Sequence, residues 1–265
     1  MLFSNVDFQS INNFKDKIVL FPLGATEQHG PHLGVFTDTD IVTRLALSAE
    51  ELFPNDILLC PSFPFGSSHH HLSFGGTISL SAPLYTQVVV ELVESLLIDG
   101  FTKIVLLNGH GGNITPVKQA LAVLSNKYDH SLHPNIALAT YWELAGSAFN
   151  GDAPMESPAL SHACEYETSL MLHLFPEKVF TSKIARAERP ASNGYIPWED
   201  DEPYRGVSMV KQTPYISGNG SSGEPQLASA KKGEHLFNQA LTALTGFIKA
   251  FKTWPLMNEL TDKKL

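Results

Sequence analysis

Four short stretches of this chain gather histidines and carboxylates at spacings that could do chemistry. The first reads Gly24-Ala-Thr-Glu27-Gln-His29-Gly30-Pro31-His32 and is followed by Thr37-Asp38-Thr39-Asp40. In an extended segment residues i and i+2 point to the same side, so Glu27 and His29 could face one point. Asp38 could return to that point just before a helix starting near Ile41. One imidazole and two carboxylates form a borderline-hard donor set suited to Zn, Mn or Fe. The alternative is a solvated loop in which Thr37 or Asp38 caps the helix.

The second stretch is Asn108-Gly-His110-Gly-Gly-Asn113, where glycines let the backbone approach a neighbour closely. No Gly-Lys-Ser/Thr follows, so a P-loop is not supported, and GxGxxG is absent. The third is Ser161-His162-Ala-Cys164-Glu165-Tyr-Glu167-Thr168. On a helix His162 and Glu165 are i,i+3 neighbours, whereas Glu165 and Glu167 stand about 200° apart, so only one glutamate can face a common rim. The fourth is Gly66-Ser-Ser68-His69-His70-His71 with Phe74-Gly-Gly-Thr77. Three consecutive histidines cannot all aim at one point. A Ser-His-Asp nucleophile is the weaker reading, because no Gly-x-Ser-x-Gly elbow exists. His130, His133, His173 and His235 have bland contexts and read as structural.

The elements that must position these groups alternate along the chain. Strands are expected at Lys17–Leu23, Ile57–Cys60, Lys103–Leu107 and Ile136–Thr140. Helices are expected at Ile41–Leu52, Pro83–Asp99, Ile114–Ser125, Glu165–Phe175 and Leu227–Phe251, from apolar residues recurring at helical spacing. This alternation predicts βαβ units and a three-layer α/β/α sandwich around a mostly parallel sheet. Ligands of such sheets bind outside the carboxyl ends of the strands. Each strand is followed by a polar cluster, the last being Tyr141-Trp142-Glu143, so one rim collects them all. Ala185–Ser229 breaks the pattern with five prolines and reads as a long loop or interface arm within a single domain spanning 1–265.

Composition narrows the function classes. The chain has 265 residues, 43% of them apolar and 17% charged, so disorder as the general state is excluded. With 18 basic and 27 acidic residues the net charge is −9, and no basic stripe exists to hold a phosphate backbone. Nucleic acid is not an expected partner. No apolar run approaches a membrane span, and no signal peptide is visible at Met1–Ser10. Cys60 and Cys164 cannot form a disulfide framework and read as buried thiols of a cytoplasmic protein.

Together these stretches resemble the creatininase (creatinine amidohydrolase) family. The matching pieces are P-L-G-A-T-E-Q-H-G-P-H-L with T-D (22–38), G-x-S-x-x-H with G-T (66–77), N-G-H-G-G-N (108–113) and H-A-x-E-x-E-T-S (162–169). They cover the first two-thirds of the chain in the family order, and Gly223–Ala228 matches more loosely. The resemblance implies two divalent metal ions per chain, with zinc favoured over manganese or iron, and a homo-oligomer, commonly a hexamer. Glu27 and His110 would bind one metal and His29 the other, with Asp38 bridging. Creatininase completes its second metal with a glutamate two residues after the second histidine ligand. Gly112 stands there in this chain, so Glu165 is the expected replacement, as a ligand and as a catalytic proton carrier beside His162, and Glu167 the reserve. His162 would touch substrate and aid proton transfer, with Ser68, Gly111 and Trp142 also on the substrate side. Gly111 replaces a tyrosine and Pro158 a tryptophan of the family pattern, so the aromatic walls that hold creatinine are missing.

The expected function is therefore hydrolysis of an amide C–N bond, cyclic or not, in a small molecule by a two-metal activated water. Family relatives also act on formamido-pyrimidine intermediates and on a peptide precursor of a redox cofactor. The alternatives are a non-catalytic ligand-binding protein of the same fold, and a phosphate- or sugar-binding protein using the glycine turn at 109–112.

Overall fold

A computed structural model describes residues 1–128, 134–188 and 217–256. Four strands form one parallel sheet: β1 (Ile18–Leu23), β2 (Ile57–Leu59), β3 (Lys103–Asn108) and β4 (Asn135–Thr140), in the order β2-β1-β3-β4. Leu20 lies level with Leu59 on one side and Val105 on the other. Every residue of β1 is buried, as expected for a strand covered on both faces.

The alternation along β1 and β3 divides the interior into two cores. Ile18, Leu20, Val105 and Leu107 face α1 (Thr37–Leu52), α5 (Glu165–Leu174) and α6 (Ala230–Thr253). Val19, Phe21, Leu23, Ile104 and Leu106 face α2 (Ala82–Ile98) and α3 (Ile114–Tyr128). Each fully buried leucine or isoleucine contributes about 2–3 kcal/mol of transfer free energy, so both faces hold the sheet firmly. This is the expected three-layer α/β/α architecture. A short helix, α4 (Tyr141–Leu144), follows β4 directly. Among the described residues, no helix is long and apolar enough to cross a membrane.

Two differences from the sequence expectation matter. Helix α1 begins at Thr37 rather than near Ile41, because the Thr37 hydroxyl donates to Gly34 O at 2.7 Å and the turn closes there. Asp38 thus sits in the first helical turn, where the helix dipole favours an anion. Of the long irregular segment, only 185–188 and 217–229 are described, and its far end packs inward. Ser217 and Ser221 are fully buried there.

Strand order reverses between β1 and β3, so a crevice opens at the carboxyl ends of these two neighbours. Close packing of α1 against the end of β1 sets its floor. A Cβ on Gly24 would lie 2.3 Å from Thr39 Oγ1 and 2.6 Å from Thr39 Cα. Gly24→Ala is expected to destabilise the fold by about 1–3 kcal/mol through overpacking, seen as a lower urea midpoint. An unchanged midpoint would contradict this packing.

Candidate metal and catalytic site

The chain leaving β1 runs through Glu27, Gln28 and His29 before turning at Gly30 into α1. The Glu27 N–H donates to Val35 O at 2.8 Å, which ties both limbs of this loop together. His110 follows β3, its backbone N–H donating to Asn108 Oδ1 at 3.2 Å. Asn113 anchors the same turn by donating from Nδ2 to Gly24 O at 3.0 Å. Glu27, His29, Asp38 and His110 are all at least 96% buried.

Backbone acceptors fix which ring nitrogens face the crevice. His29 Nδ1 donates to Glu27 O at 3.1 Å, so Nε2 is the nitrogen turned to the crevice. Nε2 points at Asp38 Oδ1, 3.1 Å away, and at Glu167 Oε1, 3.8 Å away. His110 Nε2 lies 3.3 Å from Ser67 O and donates to it, which turns Nδ1 toward Asp38 Oδ2 at 3.0 Å. Its Nε2 also stands 3.3 Å from Glu27 Oε2. Glu27 Oε2 and Asp38 Oδ2 are buried and accept no well-formed hydrogen bond. An imidazole nitrogen aimed at two carboxylates, beside orphaned carboxylate oxygens, fits a cation and not an apolar ligand.

The electrostatics agree. Burial raises the Glu27 carboxyl to about 7 even with His110 beside it. Burial disfavours charge on His110, yet Glu27 and Asp38 raise it to about 9. His29 is likewise raised against burial, chiefly by Asp38. Asp38, for which burial acts upward, is held well below the carboxylate range by His29 and His110. The cluster thus gathers protons where, among the described residues, no lysine or arginine lines the cleft, and a divalent cation would take their place.

His162 stands apart from this pattern. Burial and neighbouring His29 keep its imidazole well below the ordinary value, so it is neutral. Nε2 lies 2.8 Å from Gln28 O and donates to it, leaving Nδ1 bare, 3.6 Å from Glu27 Oε1. The end of the long irregular segment clamps it: Ser222 Oγ accepts from His162 N at 3.0 Å and Ser222 N donates to His162 O at 2.9 Å.

Glu165 is not brought to the cluster, contrary to the sequence expectation of a ligand and proton carrier. Its carboxylate turns outward and accepts from Lys232 Nζ at 2.6 Å, Ser157 N at 2.7 Å and Glu156 N at 3.1 Å. Glu167 faces the crevice instead. Ala163 adopts φ +50° and its N–H donates to Glu167 Oε2 at 2.5 Å, which leaves Oε1 toward His29. The approximately 200° between the two glutamates selects one of them, and the left-handed turn at Ala163 decides which.

The other expected residues divide. Trp142 and Gly111 line a cleft of about 650 Å³ that also exposes Glu27, Asp38, His110 and His162. Ser68 is fully buried beneath it, its hydroxyl 3.1 Å from His110 Nε2, so it supports an imidazole rather than meeting the cleft. His69, His70 and His71 open a short 3₁₀ helix, where successive side chains fan out by about 120°. His69 is exposed, while His70 and His71 reach the cleft. Gln28 had no assigned role in the sequence. Its amide donates to His71 Nδ1 at 2.8 Å and to Gly220 O at 3.1 Å, bracing the loop from below. Cys60 and Cys164 are buried free thiols, as expected. His130 and His133 lie outside the described residues.

Among the described residues, four groups of three histidine or carboxylate donors lie here, each with ligand atoms within 4.8 Å of one another: Glu27/His29/Asp38, His29/His162/Glu167, Glu27/His70/His110 and Glu27/His71/His162. A parallel α/β sheet carrying such a centre at its switch point is the architecture of a metal-dependent hydrolase. The family model of creatininase, described as creatinine amidohydrolase, matches residues 4–248. The chain belongs to the creatininase family. A mycofactocin precursor peptide peptidase of Mycolicibacterium smegmatis is 30% identical over 240 residues, 89% of this chain and 85% of that protein. A mutant creatininase complexed with creatine superposes with a TM-score of 0.79 at 21% identity, covering 96% of this chain and 99% of the other. A structure titled creatininase Mn gives 0.77 at 22%, with coverage of 96% and 99%. Both structural likenesses establish the fold.

Glu165 yields a prediction of its own. Burial acts to raise its pKa, but Lys232 and the Ser157 N–H outweigh burial and hold it below the ordinary value. A lowered folded pKa stabilises above the unfolded value near 4.3, and that contribution is lost as pH falls through the folded value. Glu165→Gln is expected to cost on the order of 3 kcal/mol at pH 7, with the gap from the native chain closing below about pH 4 in denaturant titrations. A gap unchanged at pH 3 would rule the ion pair out as its source.

Proposed function

We propose that this chain hydrolyses an amide C–N bond in a small molecule at two divalent cations held by its own side chains. The observation that carries this reading is His29: its Nδ1 is spent on the Glu27 carbonyl, which leaves Nε2 to confront Asp38 and Glu167 and to bind a cation once its proton leaves. Glu27 and His110 would hold one cation, His29 and Glu167 the other, with one oxygen of Asp38 turned to each imidazole. The mixed imidazole–carboxylate set favours zinc, with manganese or iron as competitors. When bound, such a pair supplies a Lewis acid and a water whose pKa falls to about 7.

The protein's own part is positioning and proton movement. His162 is neutral, its Nε2–H is held by Gln28 O, and its Nδ1 faces the reacting region. It can accept a proton at Nδ1 and return it to the leaving nitrogen, so that water adds across the C–N bond to give an acid and an amine. Trp142, Ile114 and Leu160 supply apolar contact in the cleft, and Gly111, where a Cβ would meet nothing within 4 Å, leaves its wall low. That open wall suits a substrate longer than one flat ring. Together with the likeness to the peptide peptidase, it brings short peptides into the substrate class beside cyclic amides and formamides.

The two buried free thiols support a cytoplasmic setting, and the family resemblance supports a homo-oligomer with a hexamer favoured. The whole of 1–265 is read as one functional unit. The test compares the native chain with Asp38→Ala and Glu167→Gln, measuring bound metal and the release of amine from cyclic amides, formamides and short peptides with Zn, Mn and Fe. Asp38→Ala is expected to lose metal and at least about 10³-fold in activity, and Glu167→Gln to lose part of its metal. Unchanged metal content in Asp38→Ala would end this reading. A native chain that binds metal but releases amine from nothing would favour a ligand-binding role.

A further inference from the structure

We propose that His70 supplies an additional protein donor to the cation at Glu27 and His110. The proposal rests on the metal-centre reading above and concerns a residue outside the G-x-S-x-x-H pattern of Gly66, Ser68 and His71.

Three observations point to it. A ring nitrogen of His70 lies within 4.8 Å of donor atoms on both Glu27 and His110. Its ring runs parallel to that of His110, with an interplanar angle of 6° and centroids 6.0 Å apart. Two parallel imidazoles and a carboxylate whose donor atoms lie within 4.8 Å of one another, all three lining the cleft, form a three-donor cradle. Neither nitrogen of His70 has a hydrogen-bond partner among the described residues, although the side chain is half-buried against the site. Both remain available.

The neighbouring histidine is already committed elsewhere. His71 Nδ1 accepts from Gln28 Nε2 at 2.8 Å, so its remaining N–H faces Glu27 Oε1 at 3.4 Å. A nitrogen that donates to a carboxylate cannot also bind metal. His71 therefore orients Glu27, and His70 is the one of the pair with a lone pair to offer.

The glycine turn explains why a donor arrives from this loop. A Cβ on Gly112 would stand 2.2 Å from Ser67 O, 2.5 Å from His110 Nε2 and 3.1 Å from His70 Cε1. No side chain can rise from position 112 without displacing His110. The space beside His110 is held by the His70 ring, which the 3₁₀ turn at 69–74 delivers from the opposite side of the crevice. A short loop thus provides what the 108–113 turn cannot.

Metal-free native chain, His70→Ala, His70→Asp and His69→Ala are titrated with Zn²⁺ alone by calorimetry, and with Co²⁺ alone for the visible absorption of each site. The native chain and His69→Ala are expected to bind two equivalents alike. His70→Ala should weaken one of the two by at least about tenfold and alter its Co²⁺ spectrum, and His70→Asp should restore affinity by returning a donor. Equal affinity and an identical spectrum in His70→Ala would overturn the proposal and leave the metal-centre reading intact. A native chain that takes up no Zn²⁺ would overturn both. Thermal melting of the metal-free proteins identifies any variant that loses binding by unfolding, and for such a variant the His70→Asp result decides.

Discussion

Three carboxylates, Glu27, Asp38 and Glu167, converge inside this protein with imidazoles around them and, among the described residues, no lysine or arginine in the cleft lining. Removing an ionised carboxylate from water costs several kcal/mol per ion unless an opposite charge accompanies it. Protons on His29, His110 and Glu27 can meet part of that cost, and the raised pKa values there express it. Two divalent cations meet it more completely, because each offers a concentrated charge to several oxygens at once. Much of the surrounding structure is arranged around that need. Backbone carbonyls at Glu27 and Ser67 set the ring tautomers, Gln28 braces the loop, and Ala163 holds a left-handed conformation so that Glu167 can turn inward.

The fold makes this convergence affordable in conformational terms. The donors lie on loops leaving β1 and β3, which are hydrogen-bonded neighbours, and on the first turns of α1 and α5. Two cores, one on each face of the sheet, keep the strand ends in register. Charged loops can therefore be held together without depending on their own stability. The Glu165–Lys232 pair performs the same service from outside, joining the start of α5 to α6 and to the backbone at 156–157.

Much of this was legible in the chain. Apolar runs and helical periods identified the four described strands and the five long helices to within a few residues, because a strand covered on both faces reads as a near-continuous apolar run. Glu27, His29, Asp38 and His110 were recognisable because chemistry-bearing residues followed each strand in turn. What could not be read was set by local backbone geometry. Periodicity tells that Glu165 and Glu167 diverge but not which one faces inward, since that depends on the turn at Ala163. That three successive histidines cannot all aim at one point was legible, and His69 is indeed exposed; that His70 and His71 both reach the cleft was not, because the 3₁₀ turn decides it. The start of α1 was misjudged because Thr37–Asp40 is polar and carries no apolar period. Gln28 drew no attention because a side-chain amide bracing two loops leaves no pattern in a linear sequence.

The central claim is that a pair of cations, not a set of shared protons, neutralises the buried carboxylates. Crystals of the native chain grown with Zn²⁺ and measured at the zinc absorption edge test it most directly. The account predicts two anomalous peaks flanking Asp38, one within about 2.0–2.2 Å of His29 Nε2 and the other at the same range from an imidazole nitrogen of His110. A map without peaks there, and with the His29–Asp38 contact still near 3.1 Å, would contradict it.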